Sequence, residues 1–335
     1  MAETTSSPAL LAPIAPGTPR PLWSVMIPTH NCAGFLRETL RSVLAQDPGS
    51  EEMQIEVVDD ASDADDPALV VEEIGAGRVG FHRRPVNGGH IANFRTCLDR
   101  SRGRYVHLLH GDDAVCDGFY RAIRQGFEAC PDAGAAFCRQ IFIDEAGREI
   151  WRSPPERETS GPLENWLERI AVRQLIQTPS IVVRRDVYET LGTFDHRLSW
   201  VEDWEMWVRI AVHYPVWYES EPLALYRMHS CSSTSRKMRT GENLRDVQRA
   251  IAIIARQLPR NLAERLGRQS REFWAEDALV NRVPTFVRAG DLQAAVCQLR
   301  EVLKLSHSCR TLSSVARLLP EITRLLFAPV LRKTS

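Results

Sequence analysis

Short apolar runs alternate with segments of helical periodicity between residues 24 and 113, and this alternation leaves few folds open to the chain. The apolar runs have the length of buried strands and are bounded by polar or turn-forming residues. Because proline cannot donate to a sheet ladder, Pro28 is expected to end the first strand. The order β-α-β-α-β-α-β predicts an α/β fold with a doubly wound, mostly parallel sheet. The predicted strands are residues 24–27, 55–58, 79–82 and 104–109, and the predicted helices are residues 33–46, 67–74 and 90–99.

The sequence beyond residue 113 predicts a mixed second half followed by a helical C-terminal extension that begins near Asn243. Residues 143–149 have the character of a hairpin turn, and the polar, proline-containing residues 154–162 predict a mobile loop. Residues 1–22, rich in Pro, Ala, Thr and Ser, are expected to form a disordered tail. Further helices are expected at residues 119–129, 166–174, 185–191 and 200–212, and further strands at residues 135–142, 181–183 and 222–225.

Composition and charge exclude several classes of protein. The formal net charge of −1 argues against a dedicated nucleic-acid binder, which usually carries a basic excess. The eight cysteines form no CxxC pair, so neither a zinc site nor a disulfide framework is indicated, and free cysteines fit a reducing cytosol. No run of eighteen apolar residues predicts a membrane-spanning helix, and the N-terminus lacks the basic start of a signal peptide. The sequence therefore predicts a cytoplasmic protein.

Polar and acidic residues follow three of the predicted strands. Thr29 follows the first, Asp59 and Asp60 the second, and Asp112 and Asp113 the fourth. Since the carboxyl ends of parallel strands meet at one edge of an open sheet, where ligands bind, these side chains are expected to converge. Two adjacent carboxylates suit a hard divalent cation. The alternative is an acidic turn that only caps the next helix.

The turn after the first strand is not a dinucleotide-binding turn. PTHN stands there instead of GxGxxG, so a pyrophosphate cannot lie against the first helix in the usual way. A base can still be recognised by a carboxylate and backbone groups while a metal bridges the diphosphate. A nucleotidyltransferase would need a glycine-rich, basic loop at this point, and the sequence has none. Arg83 and Arg84, after the third strand, are expected to be solvated.

A second acid pair, Glu202 and Asp203, lies in the segment WVEDWEMWVRIAV. Both acids fall at the start of a predicted helix whose apolar face includes Trp204 and Trp207. Acids at a helix start also favour the helix dipole, so a purely structural role is the alternative.

Six motifs occur in order along the chain: SVMIPTHN, EVVDDAS, NGGHIANF, GRYVHLLHGDD, VEDWEMWVRIA and LALYRMHSCSST. In this order and spacing they resemble the family 2 glycosyltransferases with a GT-A fold, and the likeness covers residues 23–235. The resemblance implies an inverting transfer of a sugar from a nucleoside-diphosphate sugar to a carbohydrate or lipid-linked acceptor hydroxyl, with Mg²⁺ or Mn²⁺ as cofactor. It implies a nucleotide-sugar-binding half at residues 23–115, an acceptor-binding half at residues 116–240 and a helical region at residues 241–335. Surface polysaccharide or glycolipid synthesis is the role it suggests.

The resemblance also implies roles for individual residues. Asp203, with Glu202 beside it, resembles the general base. A divalent ion would stabilise the departing diphosphate, and a carboxylate on a separate element would take the proton of the acceptor hydroxyl. The implied metal ligands are Asp112, Asp113 and His229, and the implied nucleotide-binding residues are Pro28, Thr29, Asn31, Asp59, Asp60, Asn93 and Arg227.

His110 departs from the family pattern, because it occupies the place of the first acid of the DxD-type metal motif. Histidine is a poorer ligand for Mg²⁺ than a carboxylate, although it could contact a sugar or a phosphate. The alternative function is therefore a nucleotide-sugar-binding protein without transfer activity.

The segment from Arg300 to the C-terminus carries seven basic and two acidic residues, a net charge of +5. Its apolar residues recur at helical spacing, which is typical of a helix lying on an anionic membrane surface. Peripheral contact with the inner face of the plasma membrane is one hypothesis. Packing on the catalytic domain or on a second subunit is the other. The stripe comprises Leu312, Val315, Leu318, Leu319, Ile322, Leu325, Leu326 and Phe327.

Overall fold

The first half of the chain forms four parallel strands connected by helices, as the periodicity predicts. The computed structural model describes residues 8–229 and 233–318. Strands β1 and β2 are buried along their whole length, because helices cover both faces of a parallel sheet. The elements are β1 (Trp23–Thr29), α1 (Ala33–Leu44), β2 (Met53–Asp59), α2 (Pro67–Gly75), β3 (Gly80–Arg83), α3 (His90–Arg100) and β4 (Tyr105–Leu108).

Pro28 does not end β1, which continues to Thr29. The backbone of Pro28 faces the β4 side, where its carbonyl accepts a hydrogen bond from the N–H of Gly111 at 3.0 Å. Strand β4 ends at Leu108, so no residue of β4 is paired with Pro28. The missing N–H of the proline therefore removes no hydrogen bond from the β1–β4 ladder. The predicted break was therefore wrong for a reason of geometry.

The second half adds antiparallel strands to the same sheet. The whole sheet has the order β3-β2-β1-β4-β9-β6-β10-β5, with β7 on β6 and β8 on β10. The first four strands pair in parallel, β4–β9 and β9–β6 are antiparallel, and β6–β10 is parallel again. The further elements are β5 (Ala114–Val115), α4 (Phe119–Ala129), β6 (Ala135–Ile143), β7 (Glu149–Arg152), β8 (Gly161–Pro162), α5 (Trp166–Ile170), β9 (Ile181–Arg184), α6 (Arg185–Leu191), α7 (Glu202–His213) and β10 (Val216–Arg227).

Two predicted elements differ more in length from those observed than the others do. Helix α5 ends at Ile170 rather than residue 174, because the indole N–H of Trp204 takes the Ile170 carbonyl at 2.6 Å. Strand β10 begins at Val216, well before the predicted residue 222, and its pairing with β6 shifts register on both sides of Pro222. The middle of β10 is polar and contains a proline, so the sequence pattern predicts a strand only in its second half.

The expectation of a disordered tail is corrected for residues 8–22. Leu11 is 2% exposed, and its N–H donates to the carbonyl of Tyr188 at 3.2 Å. The Thr193 N–H donates to the Ala9 carbonyl, and the guanidinium of Arg185 to the Ala12 carbonyl, both at 3.0 Å. This proline-rich segment is ordered because Leu11 is buried and because other elements supply hydrogen-bond partners for its backbone. Residues 1–7 lie outside the described residues.

The described residues divide into two compact units. The first comprises the described residues up to Trp166, with Leu175–Arg197 and Met206–Met228, and contains the sheet. The second comprises Leu167–Gln174, Leu198–Glu205 and the described residues from His229 onward. Its helices are α8 (Ser233–Thr240), α9 (Glu242–Gln257), α10 (Arg260–Asp277), α11 (Val283–Arg288) and α12 (Leu292–Leu305), with a π-helical turn at Ala278–Arg282.

The predicted amphipathic stripe near the C-terminus is described only in part. Residues 309–318 are helical, and in this helix Val315 is buried whereas Leu312 is 46% exposed. Leu319, Ile322, Leu325, Leu326 and Phe327 lie outside the described residues. None of the helices in the part of the chain that the structure describes has both the length and the apolar character needed to cross a bilayer.

His107 on β4 is a buried histidine with a structural role. Its Nε2 lies 2.9 Å from the Pro179 carbonyl, its Nδ1 lies 3.1 Å from the Tyr120 hydroxyl, and its ring stacks on Phe119. A neutral imidazole satisfies both contacts, with Nε2–H donating and Nδ1 accepting. Burial lowers the pKa of His107 from 6.5 to about 4. The imidazole therefore stays neutral in the fold at pH values where the unfolded chain would bind a proton.

Because its pKa is lowered in the fold, His107 is expected to make the fold less stable in acid. Because the unfolded state binds the proton more readily, the free energy of unfolding should fall as the pH drops from 6.5 to 4, by about 3 kcal/mol from this group. His107→Gln keeps a donor and an acceptor but cannot titrate. Urea unfolding at several pH values should show a flatter curve for the variant over that interval. Parallel curves for the two proteins would contradict the assignment.

Candidate active site

The candidate site lies at the carboxyl ends of β1, β2 and β4. In the order β3-β2-β1-β4 the chain runs outward from β1 in one direction and then returns to place β4 on its other side. In open α/β sheets, ligands bind outside the carboxyl ends of the strands at such a reversal. Thr29 and Asp59 end β1 and β2 in register with each other, and the turn His110–Asp113 follows β4. The predicted convergence of these three strand ends is thus observed.

Gly111 allows the turn after β4 to pass close to the end of β1. A Cβ atom at this position would lie 3.0 Å from the Cys32 sulfur and 3.1 Å from Thr29. The Thr39 hydroxyl of α1 lies 3.1 Å from the Gly111 carbonyl and 2.7 Å from the Asp113 carbonyl. The turn is therefore fixed on two sides by the backbone of β1 and by α1.

His110, Asp112 and Asp113 form a cluster suited to a metal ion. One ligand atom from each lies within 4.8 Å of the others. The Asp113 carboxylate is buried, and its two oxygens face the Arg227 backbone N–H at 2.8 Å and the His110 Nδ1 at 3.5 Å. The His110 ring stacks on Phe94 with centroids 5.2 Å apart, which fixes the imidazole plane.

The electrostatics of the cluster favour a bound cation. Burial raises the pKa of the Asp113 carboxyl to about 6; the charge of Asp112 adds to this rise, whereas the contact with His110 opposes it. Two neighbouring carboxylates that repel each other would be stabilised in their ionised forms by a divalent ion. One nitrogen and two carboxylates are a donor set that fits Mn²⁺ better than Mg²⁺, which prefers oxygen ligands throughout. The residues present therefore fit the implied cofactor.

Two arginines neutralise the acids after β2. Arg83 donates to the Asp59 carboxylate at 2.6 Å, and Arg84 pairs with Asp60. Asp60 also accepts the Gly88 N–H at 3.0 Å, whereas Asp59 accepts from the hydroxyl and N–H of Ser62. Both arginines are therefore specific partners. The expectation that they would be solvated was wrong for Arg84, whose side chain is 16% exposed, but it holds for Arg83, whose side chain is 40% exposed.

Asn93 and Asn31, which are predicted to bind the nucleotide, stabilise the carboxyl edge of the sheet. The amide of buried Asn93 donates to the carbonyls of Val58 at 2.9 Å and Thr29 at 3.4 Å, so it joins the ends of β2 and β1. Asn31, in the left-handed region with φ of 51°, accepts the N–H of Asp63 and donates to its carboxylate at 2.8 Å. Nucleotide contacts by Asn31, Asn93, Pro28 and Thr29 stay a prediction.

The side chain of Arg227 is buried and holds the turn formed by residues 110–113. Its side chain is 1% exposed, and its guanidinium donates to the carbonyls of Asp112 at 2.8 Å and Asp144 at 3.1 Å and to Glu38 at 2.5 Å. It also lies over the Phe35 ring, 4.9 Å from its centroid. These contacts show that Arg227 positions the turn, and its predicted nucleotide contact stays a prediction.

The second acid pair begins helix α7, as predicted, and belongs to the second unit. Glu202 is 6% exposed, and Asp203 is the more accessible of the two. The Asp203 carboxylate accepts the Gln174 side-chain amide at 2.7 Å and the Trp204 N–H at 2.7 Å. His229, also of the second unit, accepts the Ser235 hydroxyl at its carbonyl. The roles of the acid pair as base and of His229 as ligand stay predictions.

The described chain therefore has the fold and strand-end acids of a nucleotide-sugar-dependent transferase of the GT-A type. The family model described as "Glycosyl transferase family 2" matches residues 24–192, about half of the chain. The chain belongs to glycosyl transferase family 2. This membership and the GT-A-type α/β fold with C-terminal helices confirm the predictions made from the motifs.

Similar proteins and structures agree with this assignment. The uncharacterized protein MT1568 of Mycobacterium tuberculosis is 27% identical over 251 residues, which are 69% of this chain and 75% of that protein. The uncharacterized glycosyltransferase RP339 of Rickettsia prowazekii is 21% identical over 228 residues, 68% of this chain and 70% of that protein.

Two solved structures share the fold. Staphylococcus aureus TarS 1–349 in complex with UDP-GlcNAc has a TM-score of 0.61 at 17% identity, over 90% of this chain and 86% of that one. A mannosyltransferase from Pyrobaculum calidifontis in complex with GDP-Man and Mn²⁺ has a TM-score of 0.57 at 17% identity, over 97% and 90% of the two chains.

Proposed function

We propose that this chain transfers a sugar from a nucleoside-diphosphate sugar to an acceptor hydroxyl, with inversion at the anomeric carbon and with a divalent ion as cofactor. The observation that carries the proposal is the cluster of His110, Asp112 and Asp113 at the reversal between β1 and β4, in a chain of this family. Relatives of this fold bind UDP-GlcNAc, or GDP-Man with Mn²⁺, which supports the same class of donor here.

The donor half of the proposal assigns binding to the strand ends. Asp60 is fixed by Arg84 and the Gly88 N–H, so its carboxylate is preorganised to recognise a base or ribose hydroxyl, with Asp59 as the second candidate. His110, Asp112 and Asp113 would hold the ion, and His229 is the fourth predicted ligand. A bound ion would stabilise the negative charge that develops on the departing diphosphate.

The acceptor half of the proposal assigns the base to Asp203. Its carboxylate is half-buried and accepts a hydrogen bond from the Gln174 side-chain amide at 2.7 Å, which orients it. As the hydroxyl oxygen attacks C1 of the sugar, Asp203 takes up the hydroxyl proton. The configuration at C1 is inverted because the diphosphate leaves from the opposite face. We further propose a cytoplasmic role in surface polysaccharide or glycolipid synthesis, in which the basic C-terminal segment contacts the inner membrane surface.

A donor panel tests the proposed function. Thermal unfolding would be followed with MnCl₂ and, in turn, UDP-glucose, UDP-GlcNAc, UDP-galactose, GDP-mannose and dTDP-rhamnose, with EDTA as the control. A donor present at a hundredfold excess over its Kd should stabilise the fold by about 2.7 kcal/mol. Nucleoside diphosphate released with an acceptor present shows transfer, and NMR of the product gives its anomeric configuration. Binding without release would favour the sugar-binding alternative, and no stabilisation by any donor would refute the proposal.

His110 is expected to set the preference between metal ions. Replacing it by aspartate restores an all-oxygen donor set, so His110→Asp should favour Mg²⁺ over Mn²⁺ by about tenfold more than the wild type does. Half-saturating metal concentrations for donor-dependent stabilisation measure the change. His307→Asp, at an exposed histidine of the second unit, is the matched control. Equal metal preference in wild type and His110→Asp would remove His110 from the ligand set.

A further inference from the structure

We propose that Asp246 of the helical C-terminal region is a positioning residue for the acid pair Glu202–Asp203. The catalytic part of this inference rests on the proposed function, in which Asp203 is the base. Asp246 lies on α9, outside the residues that the family model matches. All the contacts that carry the inference are made within the second unit.

Asp246 holds the backbone that leads into α7. Its carboxylate is fully buried, and one oxygen accepts the backbone N–H groups of Ser199, Trp200 and Val201 at 2.9, 2.7 and 3.2 Å. Three successive N–H groups directed at one anionic oxygen form a backbone nest. The other oxygen accepts from Arg249 at 2.6 Å, so the carboxylate itself is held in one orientation.

The nest determines where the acid pair begins. Glu202 follows Val201 directly, and the Val201 carbonyl accepts the first hydrogen bond of the helix, from the Glu205 N–H at 3.1 Å. Charge-assisted hydrogen bonds to a buried carboxylate are stronger than neutral ones, and buried N–H groups that lose their acceptor are costly. Without the Asp246 carboxylate, these three N–H groups would lose their acceptor. We expect the segment to shift as a result, and Glu202 and Asp203 to shift with it.

A second set of contacts holds the side chain of the same segment. The Arg282 guanidinium lies over the rings of Trp200 and Trp274, at 5.3 and 5.4 Å from their centroids, and pairs with Asp277 at 2.5 Å. Trp274 also packs against Trp204, with ring centroids 5.5 Å apart. Rings on both sides of the acid pair thus rest on one tryptophan of α10. The segment is fixed through its backbone by α9 and through its side chains by α10 and the π-helical turn.

The expected signature is a selective loss of turnover. The Asp246 carboxylate bonds to the segment before α7 and to Arg249, all within the second unit, whereas the residues proposed to bind the donor lie in the first, so donor affinity should be unchanged when it is replaced. Misplacing a catalytic group by about 1 Å can cost about 100-fold in rate. Asp246→Asn should therefore lower kcat by about 10-fold and Asp246→Ala by about 100-fold, with the donor KM within about twofold of wild type.

The experiment compares both Asp246 variants with Glu301→Gln in the full chain. Glu301 is a buried carboxylate of the same unit that pairs with Arg245 and Lys304 and so provides a matched loss of charge. Hydrogen exchange is measured on peptides covering residues 198–205, and kcat and KM are measured with the donor that the panel selects. Faster exchange in this segment with lower kcat and unchanged KM, in the Asp246 variants and not in Glu301→Gln, is the expected result.

Two outcomes would overturn the inference. Unchanged exchange over residues 198–205 in Asp246→Asn and Asp246→Ala would show that the carboxylate does not hold the segment. Faster exchange with wild-type kcat would show that the segment does not govern turnover. A wild-type chain that transfers no sugar from any donor would instead refute the proposed function, and the exchange data would still decide whether Asp246 holds the acid pair.

Discussion

Asp203→Asn is expected to lower kcat for sugar transfer by about 100- to 10,000-fold, the range that a general base contributes. Asparagine has nearly the same shape and keeps an oxygen for the Gln174 amide and the Trp204 N–H, so the helix start should survive. It cannot accept the proton of an attacking hydroxyl. Donor binding should persist, because the residues proposed to bind the donor lie in the first unit.

Steady-state kinetics and donor-induced thermal shifts measure these two quantities separately. Glu242→Gln removes a partly exposed acid from the first turn of α9 in the same unit and controls for the loss of a charge at a helix start. Glu202→Gln decides between the two neighbours. A larger loss of kcat in Glu202→Gln than in Asp203→Asn would transfer the role of base to Glu202. Loss of donor binding in Asp203→Asn would refute the assignment altogether.

Asp112→Asn should abolish the Mn²⁺-dependent part of donor binding and lower kcat/KM by at least about 1,000-fold. The reason is that a divalent ion supplies several kcal/mol of stabilisation to a charged leaving group, and each 1.4 kcal/mol corresponds to a factor of ten. Asp112 is the better target than Asp113. The Asp113 carboxylate accepts the Arg227 N–H, so replacing it would also disturb the turn.

Thermal shifts with the selected donor, in MnCl₂ and in EDTA, measure the metal-dependent part. Asp117→Asn, an exposed acid five residues further along the chain, is the matched control. The control should keep the full difference between MnCl₂ and EDTA, whereas Asp112→Asn should show none. A variant that is stabilised by donor and Mn²⁺ to the same extent as the wild type would place the ion elsewhere.

The sequence predicted the elements that carry a strong periodic signal. Helix α4 and helix α6 have the predicted bounds, and β1 to β4 alternate with helices as expected. Strands β5 and β8 have two residues each, too few for any period, and exist because longer neighbours offer them backbone partners. The ordered residues 8–22 were missed for the same reason: their partners, such as the Tyr188 carbonyl, are distant in sequence.

The candidate site was predictable where the residue type itself limits the chemistry. Adjacent carboxylates at a strand end, as in Asp112 and Asp113, can be recognised from the order of residues in the sequence. The partners that set the geometry of such carboxylates cannot be recognised in this way, because the residue type arginine does not indicate which group its side chain will contact. Arg83 is the last residue of β3 and Arg84 follows it, at the same sheet edge as Asp59 and Asp60, and this position was the signal that could have identified that pairing.

The second unit draws on three separate stretches of the chain, and this arrangement limits how the protein can be recombined. A chimera made by a single crossover near residue 192, where the family match ends, would join Leu198–Glu205 to helices of one parent and Leu167–Gln174 to the sheet of another. The amide of Gln174 and the carboxylate of Asp203 would then come from different parents. Keeping this contact within one parent would therefore need Leu167–Gln174 and Leu198–Glu205 to be exchanged together with the C-terminal helices.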